Sequence, residues 1–331
     1  MTQTLQQAPP TKPPGPGPTA SSIPSGRPRG SAAPRRRRRQ WPHRLIVVVL
    51  ILLGAVVVAY PIGATYYNNY LQTTAAKQYT NEVRSAEPQT LQDQLAAAAR
   101  YNAALTPGVL KDPWTEDGGT FSADYQAYLK ELALFSSMAR LRIPGIRVDL
   151  PVYHGTSDDT LARGIGHLFG TALPIGGAGT HSVLTGHSSL ATATMFDHLH
   201  ELKIGDTFYI DVYGETHGYQ VDKISTVLPD QFDELGTLAG EDHVTLVTCT
   251  PYAVNSHRLL VRGIRMPDAQ VAASAPSPTA TPLVTWRIES WMVPRLIIAG
   301  IALALLALLL TSWLVGDLRR RARRKRHGIA T

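Results

Sequence analysis

The sequence predicts a mainly β domain, a sandwich or a barrel, carried between two membrane-spanning helices. Three observations predict it. After Ile143, short β-branched runs bounded by Gly, Pro and Asp recur: RVDLPVY, HSVLTG, TFYIDVYG, YQVDKISTVL, VTLVTC and RLLVRGIR. This is the pattern of short strands separated by turns. Two runs carry no charge, residues 45–62 (LIVVVLILLGAVVVAYPI) and 296–315 (LIIAGIALALLALLLTSWLV). At about 1.5 Å per residue each is long enough to cross a hydrocarbon core of about 30 Å. Finally, each run abuts a basic cluster: Arg35 to Arg39 before the first, and Arg319, Arg320, Arg321, Arg323, Arg324, Lys325 and Arg326 after the second.

Residues 1–34 are rich in Pro, Gly, Ser, Thr and Ala; they cannot bury enough surface to offset ordering, and a disordered basic tail is expected over 1–44. The first span is assigned to 45–63. Its apolar run exceeds the 7–15 residues or so of a signal-peptide core, and Tyr60, Tyr66 and Tyr67 suit an interfacial belt, so an uncleaved anchor is expected. Residues 64–140 are expected to be helical: one helix over 69–105 closed by Pro107 and Gly108, and a second amphipathic stretch over 124–139, with Tyr125, Leu129, Leu132 and Phe135 at helical spacing. The strands occupy 141–267. A linker follows over 268–292, Pro/Ala/Ser/Thr-rich up to 283, then the second span at 293–316 and a basic tail at 317–331. The positive-inside rule puts both ends in the cytoplasm and the region between the spans outside it.

The net charge of +7 comes largely from the two flanking clusters, so it reads as a topology signal and not as a nucleic-acid surface. The single cysteine excludes an internal disulfide. No GxxxxGK[ST] and no strand–GxGxxG–helix pattern occurs, which removes support for nucleotide chemistry. His198 and His200 are two apart and His181 and His187 six apart, neither at HExxH spacing, so neither a metal nor any other cofactor is expected.

Chemistry concentrates in VTLVTCTPYAVNSHRLLVRGIR, residues 244–265. Residues 244–249 and 258–265 read as strands around an eight-residue loop. If they pair antiparallel, Cys249 faces Arg258, and opposed Cβ atoms lie about 4.5–5.5 Å apart. A guanidinium beside a thiol favours the nucleophilic thiolate and offers donors to an oxyanion. Such a nucleophile needs a proton carrier, most often histidine. His154, His198, His200 and His217 sit in polar, turn-like surroundings where a solvated surface role is expected. His181 and His187 bracket a short apolar run in THSVLTGHSS; both are candidates, and His187 follows Gly186 at the strand end, where its ring can enter a cleft.

These residues together resemble the sortase signature: TLVTC at 245–249, Arg258 downstream and TGH at 185–187 upstream. The longer runs 245–263, 150–177 and 211–224 are similar to class C, the pilin-polymerising sortases, and the resemblance covers about residues 80–266. Asp112-Pro113-Trp114 is similar to the Asp-Pro-aromatic tripeptide that class C members carry on an N-terminal lid. The resemblance implies an eight-stranded sortase β-barrel, with Cys249 as nucleophile, His187 as general acid/base and Arg258 as oxyanion stabiliser. In the closed lid, Asp112 would pair with Arg258 and Trp114 would cover Cys249. It also implies cleavage of an LPxTG-like signal after threonine, a thioacyl enzyme, and resolution by a pilin lysine in a Gram-positive host. The implied partners are LPxTG-bearing pilins or surface proteins and the cytoplasmic membrane. Three alternatives accompany it: a sortase that anchors proteins to the cell wall, a non-catalytic membrane-anchored β-domain, and a metallohydrolase. The chain departs from the family pattern at Ala253 and Ser256, where Gly and Thr are usual, and at Ser188-Ser189, where Arg-Gly often follows the histidine.

Overall fold

The structure is a computed structural model that describes residues 41–106, 122–277 and 287–327. Residues 41–46, the described part of a first unit, form opening turns of helix α1; a second unit begins at Val47. Helix α1 runs from Trp41 to Ser85 through the first apolar run. The sequence separated an anchor at 45–63 from a helix starting at 69, whereas one continuous helix covers both, and it ends before Pro88. Pro88 opens α2, Pro88–Ala104, because a proline lacks an N–H and the first helical turn leaves that donor unpaired in any case. Pro61 lies inside α1, and Thr65 Oγ1 donates back to its carbonyl at 2.9 Å. The last long helix, α6, is Met292–His327. Among the described residues, α1 and α6 are both long and apolar enough to cross a membrane.

The second half of α1 leaves the character of a span behind. Its buried residues Thr65, Gln72, Ala76 and Tyr79 form a stripe at helical spacing. Tyr79 donates its hydroxyl proton to the Met138 carbonyl at 3.3 Å and accepts the Tyr213 N–H at 2.9 Å. The amphipathic stretch expected over 124–139 yields only α3, Ala123–Tyr128, capped by Ser122, whose Oγ accepts the Tyr125 N–H. Leu132, at φ 49°, has turned the chain out of helix. Tertiary pairing decides the remainder: Ala139–Ile143 become strand β1, whose five residues are all buried. Local helical spacing cannot compete with a ladder on both sides of the strand.

Eight strands close a barrel in the order β1-β2-β3-β4-β7-β8-β6-β5. The others are β2 Val148–His154, β3 Ile165–His167, β4 Thr180–Thr185, β5 Thr207–Val212, β6 Glu215–Val227, β7 Asp242–Thr250 and β8 His257–Arg265. The helix α4, Asp158–Arg163, lies between β2 and β3. Period-two alternation sorts the side chains of β4, β7 and β8. Leu184, Val244, Leu246, Leu259 and Val261 enter the main core. Val183, Val247 and Leu260 face the other way, into a smaller apolar cluster with Leu168 and Leu235 that Val227 and Phe232 cover. The barrel wall therefore has an apolar patch on its outer face, directly below the strand ends that carry the site.

The segment expected as linker from 268 is not one at its start. Residues Asp268–Ser274 form helix α5, and Val271 packs with Tyr209 and Met266. The Arg142 guanidinium reaches on to the Pro276 carbonyl. A composition poor in large side chains hid one buried anchor that suffices to dock a short helix.

Candidate active site

Strands β7 and β8 pair antiparallel with Cys249 directly opposite Arg258. Strands β4 and β7 pair parallel, with Thr185 opposite Val247. The alignment continues past the last ladder pair: the Gly186 N–H donates to the Val247 carbonyl at 3.0 Å, and Ser188 Oγ donates to the Cys249 carbonyl at 2.6 Å. His187, Cys249 and Arg258 thus stand at the same end of three adjacent strands. By the alternation above, Cys249 and Arg258 lie on the outer face, in line with Val247 and Leu260. Cys249 is 8% exposed and Arg258 6%. Arg258 Nη1 donates to the carbonyls of Asn255 (3.1 Å) and His257 (3.2 Å), which curls the guanidinium under its own loop.

Glycine is required just before the histidine. A Cβ at Gly186 would come within 2.7 Å of Ile165 Cδ1 and 2.8 Å of Phe196 Cδ2, so the loop packs flush on the core. Burial lowers the His187 pKa below its usual 6.5, and the nearby charge of Asp158 opposes this. The ring is therefore mainly neutral at neutral pH and able to take a proton.

The second candidate histidine has a different task. His181, at the start of β4, sits level with His243 and far along the strand from Cys249. Its Nδ1 donates to the Gly236 carbonyl at 2.9 Å, and its Nε2 accepts from Thr245 Oγ1 at 2.7 Å. Burial drives its pKa down to about 4. With both nitrogens engaged in protein, it is a core histidine. Of the four histidines expected at the surface, His217 is buried, with its pKa lowered to about 4 by burial and by Arg265, and two are half-buried: His154 Nε2 bonds the Glu131 carbonyl at 2.6 Å, and the His198 ring sits between Glu201 and Glu289. Asp112 and Trp114 lie outside the described residues. Among the described residues, no group of three or more His, Cys, Asp or Glu side chains is placed to hold a metal ion.

Sequence reasoning missed the hydroxyl groups that stitch the site together. Thr248 Oγ1 donates to the Gly186 carbonyl at 2.7 Å. Ser189 Oγ accepts the Ala253 N–H at 2.7 Å, and the Ser189 N–H donates to Asp197 Oδ1 at 2.6 Å. The signal available was the pair of serines directly after a candidate histidine, but their partners are 8 to 64 residues away. Asp197 is 7% exposed, and burial pushes its carboxyl up from 3.8 to about 7, against the pull of the Ser189 N–H. A raised carboxyl pKa means the native state holds the proton more tightly than the unfolded chain, so stability is lost as pH climbs from about 4 through about 7. Asp197→Asn keeps the acceptor without the charge. It should be more stable than wild type at pH 8, by at most about 4 kcal/mol from linkage, with the gap closing by pH 4. Thermal melts across that range check it; a constant gap would count against Asp197 as its source.

Comparison with known proteins agrees with this geometry. Residues 141–266 match the model of the Sortase domain. Sortase C-1 from Actinomyces oris is 53% identical, with a TM-score of 0.52, covering 54% of this chain and 99% of that one. Sortase C from Streptococcus pneumoniae is 41% identical at a TM-score of 0.53, covering 58% and 95%. Sortase A from Corynebacterium diphtheriae, of which a lid mutant also matches, is 45% identical at 0.54, covering 61% and 95%. By sequence, Sortase A of Bacillus anthracis is 29% identical over 126 residues, 38% of this chain and 58% of the relative. The chain spans about half the length of the curated relatives it matches. The closed eight-stranded barrel, with Cys249, Arg258 and the His187 loop at one rim, is of the sortase fold. The chain belongs to the sortase family, and its structural neighbours place it with class C.

Proposed function

We propose that the chain is a membrane-anchored cysteine transpeptidase that cleaves an LPxTG-like sorting signal and joins the acyl product to a pilin lysine amine. One observation carries the reading: Cys249 opposes Arg258 in the β7–β8 register, at the strand ends reached by the His187 loop. In the reaction, neutral His187 takes the Cys249 proton as sulfur attacks the scissile carbonyl. Arg258 donates to the oxyanion. The imidazolium then protonates the departing amine, leaving a thioester. An incoming lysine amine attacks the thioester, gives its proton to His187, and expels the thiolate, which is reprotonated. Protons and charge balance over the cycle, and splitting it at a covalent intermediate lets one chain leave before the next arrives.

The joining of pilin to lysine rests on class C likeness; the Streptococcus pneumoniae neighbour is described in terms of pilin substrate specificity. Likeness to Sortase A proteins favours wall anchoring as the second reading, and acceptor competition between a pilin lysine and a wall peptide amine separates the two. On the same reading, α1 and α6 span the membrane with both basic ends in the cytoplasm, and Asp112 and Trp114 form a lid. Trp114→Ala should then speed alkylation of Cys249; an unchanged rate counts against the lid.

The test of the whole proposal is incubation with an LPxTG peptide followed by mass spectrometry, with an acyl adduct ending in threonine expected on Cys249. Absence of any adduct overturns it. Arg258→Ala should lower kcat/KM by about 10²–10³, the loss typical of an oxyanion donor. Arg258→Lys should recover only part, because an ammonium cannot copy the planar fork. Steady-state kinetics decides, and an Arg258→Ala enzyme within threefold of wild type would rule out the role.

A further inference from the structure

We infer that Ser189 is a positioning residue, a clamp that holds the His187 loop against the loop joining Cys249 to Arg258. The inference rests on the transpeptidase reading for its consequence but on geometry for its content. Ser189 and Ala253 both adopt left-handed backbone, at φ 65° and φ 64°. Side chains other than glycine resist that conformation, and it persists where surrounding contacts over-determine it. Here the two strained residues touch: the Ala253 N–H donates to Ser189 Oγ at 2.7 Å. Glycine at 189 would relieve the backbone yet remove the acceptor.

The bond spans the gap that matters. Ser189 is two residues beyond His187, and Ala253 lies inside the loop between Cys249 and Arg258. On its other side Ser189 is fixed by its own N–H, which donates to the buried Asp197 at 2.6 Å. Its neighbour Ser188 donates to the Cys249 carbonyl at 2.6 Å. The loop of residues 250–257 is otherwise tied mainly to itself, through the N–H groups of Val254 and Asn255 on the Pro251 carbonyl and Arg258 on Asn255. Ser189 therefore supplies a cross-link from outside that loop, and through it the guanidinium and the imidazole share one reference frame. A shift of one loop against the other changes the angle at which the proton and the oxyanion are met, and such misplacement lowers turnover more than binding.

The test uses the full-length chain in detergent micelles. Ser189→Gly and Ser189→Ala are compared with Ser189→Asn, which tolerates left-handed backbone and carries an amide oxygen. Loss of one short hydrogen bond predicts, for both Gly and Ala, about a tenfold fall in protection of the Ala253 amide from hydrogen exchange. It also predicts about a tenfold fall in kcat on an LPxTG peptide with KM within twofold, and an altered pH profile of Cys249 alkylation. Ser189→Gly should melt no lower than Ser189→Ala, and Ser189→Asn should regain part of the protection and part of kcat. Wild-type exchange and kcat in Ser189→Gly overturn the clamp. So does a lowered melting temperature with kcat and the alkylation profile unchanged, which marks a merely structural serine. If wild type forms no acyl adduct, the transpeptidase reading fails, and the exchange and alkylation measurements still decide the clamp.

Discussion

Replacing Cys249 with alanine is expected to abolish acyl transfer, with kcat at least about 10⁴-fold lower and no covalent adduct. The chain contains one cysteine, so no second thiol can take over. The loss should be one of chemistry alone. Cys249 sits near the end of β7, and its backbone bonds to β8 do not involve sulfur. Removal of one sulfur atom at the rim costs about 1 kcal/mol or less, so the circular dichroism melt should move by only a few degrees. Residual transfer above one part in about a hundred would show that the thiol is not the nucleophile.

The largest effect on stability is expected at Asp149, which touches no reacting group. Arg140 is 1% exposed, and its guanidinium makes a two-pronged pair with Asp149, Nε to Oδ1 at 2.6 Å and Nη2 to Oδ2 at 2.7 Å. Its Nη1 also donates to Thr80 Oγ1 at 2.8 Å, tying α1 to the first two strands. Asp149→Ala strips a buried cation of its carboxylate, a change that costs about 3–5 kcal/mol. For a domain of this size the melting temperature should fall by on the order of 10 °C. The double variant Arg140→Met, Asp149→Leu should recover most of the loss, because a packed apolar pair often matches a buried ion pair. Chemical denaturation of the three variants provides the check; equal losses in the single and double variants would argue that packing, not charge, dominates at this position.

Much of this was legible along the chain because the signals are local. Six of the eight strands announce themselves as β-branched runs between turn residues, and the Cys249–Arg258 hairpin follows from two strands and a short loop. The other two strands were not legible. Strand β3 has only three residues, too few for alternation to show, and β1 lies in a stretch whose apolar spacing also fits a helix. The histidines show the same boundary. Sequence favoured His187 over His181 through its place after Gly186 and the TGH resemblance, and the register of β4 on β7 supplies the physical difference, a ring locked to Gly236 and Thr245 against one at the level of the thiol.

By itself the sequence determined the two apolar helices, the β character of the domain between them, and the residue types on which the chemistry is proposed to rest. Each is a matter of near neighbours: hydrophobic run length, alternation, and a thiol within reach of an arginine across one loop. Tertiary structure alone decided that α1 continues as one helix from the apolar run to the barrel, that residues 268–274 dock as a helix, and that Ser188, Ser189 and Asp197 join the His187 loop to the Cys249 end of β7 and the loop beyond it. These depend on contacts between residues far apart in sequence. A hydroxyl or a carboxylate carries no mark of its distant partner until barrel closure brings the two together and burial makes an unmade bond costly.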